Sequence, residues 1–494
     1  MTEASDSTAA RISAAAKAMV FPLALAQFIA SYAATNMNVA ITTIAEDLGT
    51  SVGGIQTTIT LFTLTMASLM VAGSKLTDIL GRKVCFVAGL IVYGTGALLA
   101  SLSQGLGLLI VGYSLLEGIG SALLIPPIYI LITVAFTDVR SRAKYFGIVS
   151  GAAGLGAAAG PLLGGFITSS VGWRASFIVQ VLVVVWIIVL SRSRVPSTPP
   201  VRPRPAFDTA GAILSAAGLF FVVFGILQSG TYGWLASRAD FVIGGTVVLP
   251  QGGLSPVWLF AALGTGILIW FFLHVRSRER AGKTPLMSLS LFRSRTANLG
   301  LVTQNVQWLT MQGSFFVVSV FLQQAWHYNA IQTGLMLTPA TIGILASSAA
   351  AERFASRHPQ RRMIRVGFLA MALGMVCLLL LARETNSIIA FVPGLLMMGL
   401  GIGTMLTASV NLVQSAFPDE EQDDISGLSR SVSNLGSSLG TALAGSALVA
   451  AASRPEGAPF TVALVMLVVF ALLGLAAAMF LPRERAQEER PAAG

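Results

Sequence analysis

The chain has 494 residues, of which 54% are hydrophobic and 11% charged, with a mean hydropathy of +0.78. Soluble domains carry roughly a quarter charged residues, so a water-soluble fold that hides this much apolar surface is excluded. The formal charge of +10 is spread over short loops instead of one face, which excludes a nucleic-acid surface, and two cysteines exclude a disulfide framework or a cysteine metal site.

In chain order, residues 1–17 carry no apolar core with a small-residue cleavage site, so no removable signal peptide is expected and the segment reads as a tail. Apolar windows long enough to cross a bilayer, about 20 residues each, predict fourteen helices. The first six fall near 18–42, 57–76, 84–103, 107–135, 145–168 and 174–191, forming a bundle over 18–191. A linker follows over 192–209, then two further helices near 210–229 and 258–275 within the segment 210–275. The loop 231–257 joins those two, and Phe241 to Leu249 reads as a hairpin turning at Gly244-Gly245. After a second linker, 276–297, the last six helices fall near 298–326, 335–352, 364–382, 388–417, 431–452 and 460–481. They form a bundle over 298–481, with a tail over 482–494. The fold class is therefore all-α and polytopic, and His274, His327 and His358 read as solvated helix-end or loop residues.

With both termini cytoplasmic, only Arg174, Arg238, Arg383 and Arg454 of the 31 Lys and Arg fall outside, and the positive-inside rule sets that orientation in a cell membrane. The sequence also echoes itself. Leu115 to Gly120 resembles Met397 to Gly403, and Gly154 to Gly160 resembles Leu435 to Ala442, both about 280 residues on. That shift equals eight helices and implies two six-helix sets with two helices between them, a 6+2+6 plan.

Between the second and third helices lies Ser74-Lys75-Leu76-Thr77-Asp78-Ile79-Leu80-Gly81-Arg82-Lys83. An acid facing a basic cluster at helix ends can act as a latch, and it can equally be a tight turn with inside-positive charge. The fifth helix carries Gly156-Ala157-Ala158-Ala159-Gly160-Pro161-Leu162-Leu163-Gly164-Gly165. Glycines one turn apart make a flat face for another helix, and Pro161 removes a backbone donor and permits a kink. The first stretch resembles the loop motif of the major facilitator superfamily at Asp78, Gly81, Arg82 and Lys83. The second is similar to that superfamily's antiporter motif at Gly156, Gly160, Pro161, Gly164 and Gly165, and Gly172-Trp173-Arg174 resembles its next landmark. With fourteen helices and the run Pro285 to Arg293, the whole chain resembles the fourteen-span drug:proton antiporter family. The resemblance implies alternating access, no cofactor, and export of amphipathic or cationic compounds driven by a proton gradient. Its expected partners are a small-molecule substrate, protons and membrane lipid, with no nucleic acid and a functional monomer.

Two positions depart from that family. An acid common in the first helix is Ala33 here, and a basic residue common in the fourth is Ser114. The proton route therefore rests on Glu117, the one acid of 21 placed deep within a helix, roughly 15 Å from its outer end at 1.5 Å per residue. A charged carboxylate there costs on the order of a few kcal/mol, so it is expected to be protonated or paired. Displacement of its proton by a cationic substrate is a minimal antiport device. A permanently neutral, hydrogen-bonded Glu117 is the alternative, and with it a carrier of one endogenous solute or lipid without proton coupling.

For the substrate path, Gln27, Ser31, Tyr32, Asn36 and Asn38 line the first helix, Tyr113 the fourth, and Gln304, Asn305, Trp308, Met311 and Gln312 the ninth. Weakly polar, aromatic and Met-rich walls suit amphipathic ligands, and they equally suit helix packing with interhelical hydrogen bonds. The acids Asp419, Glu420, Glu421, Asp423 and Asp424 read as a solvated face without calcium-loop spacing. No phosphate-binding turn, catalytic constellation or metal cluster is present in the sequence, which argues against an enzyme.

Overall fold

The structure is a computed structural model that describes residues 2–136, 139–196, 206–243, 246–355, 358–381, 388–417, 421–451 and 458–482. Residues 197–205 of the 192–209 linker, the Gly244-Gly245 turn, Arg383, Arg454, Asp419, Glu420 and the tail beyond 482 lie outside the described residues.

Helix α1 (Thr2–Asn36) runs through a 3-10 turn (Met37–Ala40) into α2 (Ile41–Asp47), so the first span continues past its expected end at 42. Ser51 accepts the Gly54 N–H and caps α3 (Val52–Leu80). Gly81, at φ 97°, turns the chain directly into α4 (Arg82–Ser101), a conformation only glycine adopts without strain. The fourth span is not one regular helix. It runs from α5 (Leu106–Leu109) through a π-helical stretch (Ile110–Glu117) into α6 (Gly118–Ala135). Then follow α7 (Val139–Ser170), α8 (Trp173–Arg194) and α9 (Thr209–Tyr232).

Strands β1 (Phe241–Ile243) and β2 (Thr246–Leu249) pair antiparallel, as the hairpin reading expects. Ser255 caps α10 (Pro256–Arg280), and a 3-10 turn (Leu289–Phe292) leads to α11 (Arg295–Gln324). Next come α12 (Ala330–Met336), α13 (Thr338–Ala355), α14 (Gln360–Leu381), α15 (Phe391–Gln414), α16 (Gln422–Ala450) and α17 (Ala458–Met479). Among the described residues, eleven helical segments are long and apolar enough to cross a membrane, or twelve if α12 and α13, bent by 42°, count as one. Helices α11 and α16 are of similar length but carry more amides and hydroxyls, several of which bond to one another where the two helices meet. Large apolar side chains point outward instead, with Leu182 64%, Ile213 63%, Trp270 62% and Leu380 66% exposed, the surface a lipid solvent requires.

Glycines set the packing. A Cβ at Gly156 on α7 would fall 2.2 Å from the Phe28 oxygen, and one at Gly436 on α16 would fall 2.3 Å from the Asn305 oxygen. Likewise a Cβ at Gly96 would lie 2.6 Å from the Glu117 nitrogen, and one at Gly374 would lie 2.7 Å from the Met398 nitrogen. Each close approach recurs about 280 residues on, the register of the sequence echoes. The first set, α1–α8, meets the second, α11–α17, mainly along two seams. Helix α3 lies on α16 through Gln56 to the Thr441 carbonyl (3.1 Å), Ser438 to the Thr60 carbonyl (3.0 Å) and the Lys75–Asp424 ion pair (2.5 Å). Helix α7 lies on α12 and α13, where Thr341 donates to the Ala158 carbonyl (3.3 Å) and a Cβ at Gly165 would fall 2.4 Å from the Ala330 oxygen.

The helices α9 and α10 pair with each other and rest on α16, where Ser446 donates to the Ile226 carbonyl (3.2 Å). Asp208, side chain 1% exposed, caps α9 through Gly211 N–H (3.0 Å), accepts the Leu286 N–H (3.2 Å) and bonds His274 Nε2 (2.9 Å), with Arg278 at 3.6 Å. This corrects the reading of His274 as a solvated residue: it sits within α10 and its ring is committed to Asp208. Burial alone would raise the Asp208 carboxyl, but the His274 and Gly211 hydrogen bonds and the charges of His274 and Arg278 hold it below the usual carboxylate value. The acidic cluster is likewise not wholly solvated: Asp424 pairs with Lys75, and Glu421 accepts from Ser290 (3.4 Å).

Candidate functional site

Glu117 ends the π-helical stretch, where the hydrogen-bond ladder of the fourth span is interrupted. Gly96 and Gly112 let α4 pack against this stretch backbone to backbone, which carries the Glu117 side chain into the interior of the first set. The residue is 0% exposed, and neither carboxyl oxygen has a hydrogen-bond partner. Tyr93 on α4 and Tyr113 on the π stretch are its phenolic neighbours. Tyr93 donates to Gln180 Oε1 on α8 (2.5 Å) and approaches the Ile29 carbonyl (3.4 Å), while Tyr113 donates to the Ala33 carbonyl (2.9 Å) and stacks on Phe62 at 4.5 Å. Tyr32 and Ser176 share a hydrogen bond of 2.6 Å, and Asn36 donates to Ser176 (3.0 Å).

The result is a buried polar core among α1, α4, the π stretch and α8, with a carboxyl beside several hydroxyls and amides. Such a group can hold a proton as a neutral acid. An ionised carboxylate there would require a neighbouring donor, such as the Tyr93 hydroxyl committed to Gln180, to turn toward it, which ties proton loss to a change of packing.

Seven of the expected path residues fall into three places. Tyr32, Asn36 and Tyr113 belong to this polar core. Gln304 bonds Ser433 (2.9 Å) and Ser429 (2.9 Å), and Asn305 donates to the Val432 carbonyl (2.9 Å), so both hold α11 to α16 within the second set. Asn38 and Gln312 lie between the sets: the Asn38 carbonyl accepts from Gln323 (3.0 Å), and Gln312 reaches the Ala34 carbonyl (3.4 Å). Gln27 bonds Ser31 (3.3 Å), Trp308 packs half-buried against the core, and Met311 is 3% exposed.

The loop-motif residues sit at one end of the α3–α16 seam. Asp78 is half-buried there and Arg82 opens α4; Lys83 donates to the Arg192 carbonyl (3.1 Å). Lys75 spans the two sets as an ion pair with Asp424. At the other end, Arg174 bonds Asp47 (2.5 Å) and the Ser103 carbonyl (2.7 Å), and Trp173 also donates to Asp47 (3.1 Å). The antiporter-motif glycines face α1 from Gly156, Gly160 and Gly164, whereas Gly165 and Pro161 face α12. One helix thus touches both sets.

Sequence reasoning missed Tyr93, Ser176 and Gln180. Gln180 could have been found as the lone amide in the apolar run Phe177 to Leu190, whereas Tyr93 carried no signal beyond its polar tip. Among the described residues no group of three or more His, Cys, Asp or Glu could hold a metal.

Comparison with known proteins adds the family. The pattern of the Major Facilitator Superfamily matches residues 23–292 and 300–494, and the chain belongs to that superfamily. It is 29% identical over 421 residues to a probable actinorhodin transporter of Streptomyces coelicolor, covering 83% of this chain and 68% of that protein. It is 25% identical over 414 residues to the multidrug resistance protein Stp of Mycobacterium tuberculosis, covering 84% and 72%. Among solved structures, a peptide transporter POT superposes with a TM-score of 0.65 at 17% identity, covering 94% of each chain, which shows the shared fold. The chain is therefore a multi-span membrane transporter of small molecules and not an enzyme.

Proposed function

We propose that this transporter is a proton-coupled exporter of amphipathic compounds, working by alternating access of the two six-helix sets, 18–191 and 298–481. In this reading α11 and α16 also cross the membrane, giving fourteen spans in a 6+2+6 plan with both termini cytoplasmic. The protein works as a monomer in the cell membrane, with the proton gradient as its energy source and its apolar exterior against lipid.

The observation that carries the reading is Glu117: a fully buried carboxyl without a hydrogen-bond partner, placed on an interrupted helix. Its proton can leave only when the packing of the first set changes, so protonation and conformation are linked. The seams supply the moving parts. Gly165 and Pro161 rest on α12, and Lys75 holds Asp424 across α3 and α16, contacts that must open and close in turn. Export as the direction is supported by two of the relatives, one a probable transporter of actinorhodin and one a multidrug resistance protein.

The test is substrate-dependent proton movement in proteoliposomes under an imposed pH gradient, with ethidium and a panel of lipophilic cations, comparing wild type with Glu117→Gln. Dissipation of the gradient in wild type and its loss in the variant sustain the reading. Equal transport by the variant assigns Glu117 to structure and leaves an uncoupled carrier of one solute or lipid.

A further inference from the structure

Arg430 lies on α16, eight residues past the start of that helix and inside the seam between the two sets. Its guanidinium carbon stands 4.7 Å from the centre of the Tyr129 ring on α6, and it donates a hydrogen bond to the Tyr129 hydroxyl. The pair borders a cavity of ≈ 10 Å³, about the room of one water, whose other walls include Met70, Ile125, Ile130 and Ser426. Walls from α3 and α6 belong to the first set and those from α16 to the second, so the cavity widens whenever the sets separate.

Among the described residues that line this space, the charged one is Arg430. Among the described residues Arg430 forms no salt bridge, and Asp424, on the same helix, is paired with Lys75. Glu117 is enclosed in the first set among Tyr93, Tyr113 and Gly96 and offers nothing to a ligand in the seam. A molecule entering between the sets therefore meets a guanidinium already stacked on an aromatic ring, with Met70 and two isoleucines beside it. We propose that Arg430 and Tyr129 form a recognition subsite of the transport path that selects planar aromatic molecules carrying an acidic group. The ring of such a molecule lies against Met70, Ile125 and Ile130, and its carboxylate or phenolate pairs with the guanidinium fork. Stacking on Tyr129 keeps that fork oriented before the ligand arrives. The inference rests on the export reading for the passage it places between the sets, and it specifies what that passage accepts.

Fluorescein, a planar aromatic anion, is the probe, and ethidium is the cationic comparison. The full chain in lipid nanodiscs is titrated with fluorescein by fluorescence anisotropy, and proteoliposomes report transport of both dyes. Wild type is expected to bind fluorescein, Arg430→Gln to weaken that binding at least about tenfold, and Arg430→Lys to weaken it severalfold because an ammonium lacks the planar fork. The ratio of kcat/KM for fluorescein to that for ethidium falls at least about tenfold in Arg430→Gln. The proposal is overturned if that variant keeps wild-type fluorescein affinity, or if wild type exports ethidium and binds no fluorescein. Should Arg430→Gln lose its thermal unfolding transition, Arg430→Lys decides, and fluorescein affinity equal to wild type overturns the subsite. Failure of the export reading looks different: fluorescein binding that depends on Arg430 while neither dye is moved.

Discussion

The two six-helix sets are built on the same close approaches and filled with different chemistry. A Cβ at Gly96 would sit 2.6 Å from the Glu117 nitrogen, and one at Gly374 would sit 2.7 Å from the Met398 nitrogen, so Glu117 and Met398 occupy matching places. The shift that carries Gly89 to Gly367 and Gly96 to Gly374 carries Tyr93 to Met371. In the first set the place holds a carboxyl beside phenols; in the second, Thr310 and Ser314 donate instead to the sulfurs of Met371 (3.4 Å) and Met375 (3.3 Å). Small residues copy a scaffold because a backbone approach tolerates nothing larger, whereas the side chains beyond it are free to diverge. In the proposed mechanism one titratable site in one half is enough, because the halves move against each other.

The largest expected effect breaks the comparison at its chemical point. Glu117→Gln keeps the shape and removes the titratable proton, and should lower gradient-driven transport at least about 100-fold, the scale on which positioned acid–base groups act. The reciprocal change, Met398→Glu, should not restore it, because Met371 and Met375 offer that carboxyl no phenol; proton flux in the doubly substituted protein measures this.

Next in size is the scaffold. Gly156→Ala and Gly436→Ala each drive a Cβ against a backbone oxygen, at 2.2 and 2.3 Å. Each should cost about 1–3 kcal/mol, the scale of overpacking, and the two variants should lower the thermal unfolding midpoint alike. A loss in one variant alone would show that the two scaffolds are not mechanically alike.

The helices α9 and α10 have no counterpart in either set, and their clamp is electrostatic. Because the folded Asp208 carboxyl is held below its unfolded value, its contribution is present above the unfolded value and is lost as pH falls through the folded one. Protection of residues 281–294 from proteolysis should therefore fall in acid. Asp208→Asn should flatten that pH profile and cost about 1.5–3 kcal/mol, the range for hydrogen bonds to charged groups.

Much of the scaffold was legible from the sequence because glycine spacing reports a flat helix face directly: Gly156, Gly160 and Gly164 turn to α1 as their one-turn spacing requires. Glu117 was legible because an acid inside an apolar run is costly to bury and so marks a place where a proton or a partner is held. What periodicity cannot say is which neighbour a face meets. Gln304 and Asn305 lie on the stripe expected, yet they turn to α16 within their own set. His274 finds its partner in Asp208, 66 positions away, and the π stretch before Glu117 is a hydrogen-bond pattern without a residue signature. Arg430 escaped notice because the thirteenth helix was expected to begin one residue after it, whereas α16 begins at Gln422.

The smallest expected effect sharpens the comparison at the seam where the sets touch. Lys75 and Asp424 are 22% and 24% exposed, so their pair is partly screened and should contribute no more than about 1 kcal/mol. That is still enough to shift a two-state equilibrium about fivefold, since about 1.4 kcal/mol is a factor of ten. Lys75→Gln should raise the rate at which a cysteine introduced at Ser426, on the cavity wall, is labelled by a water-soluble maleimide. Exchange of the two charges, Lys75→Asp with Asp424→Lys, should return the rate toward that of the parent. Recovery of the rate would mean that the pair acts across the seam as a latch, while a rate that stays high would mean that Lys75 acts through its own helix end.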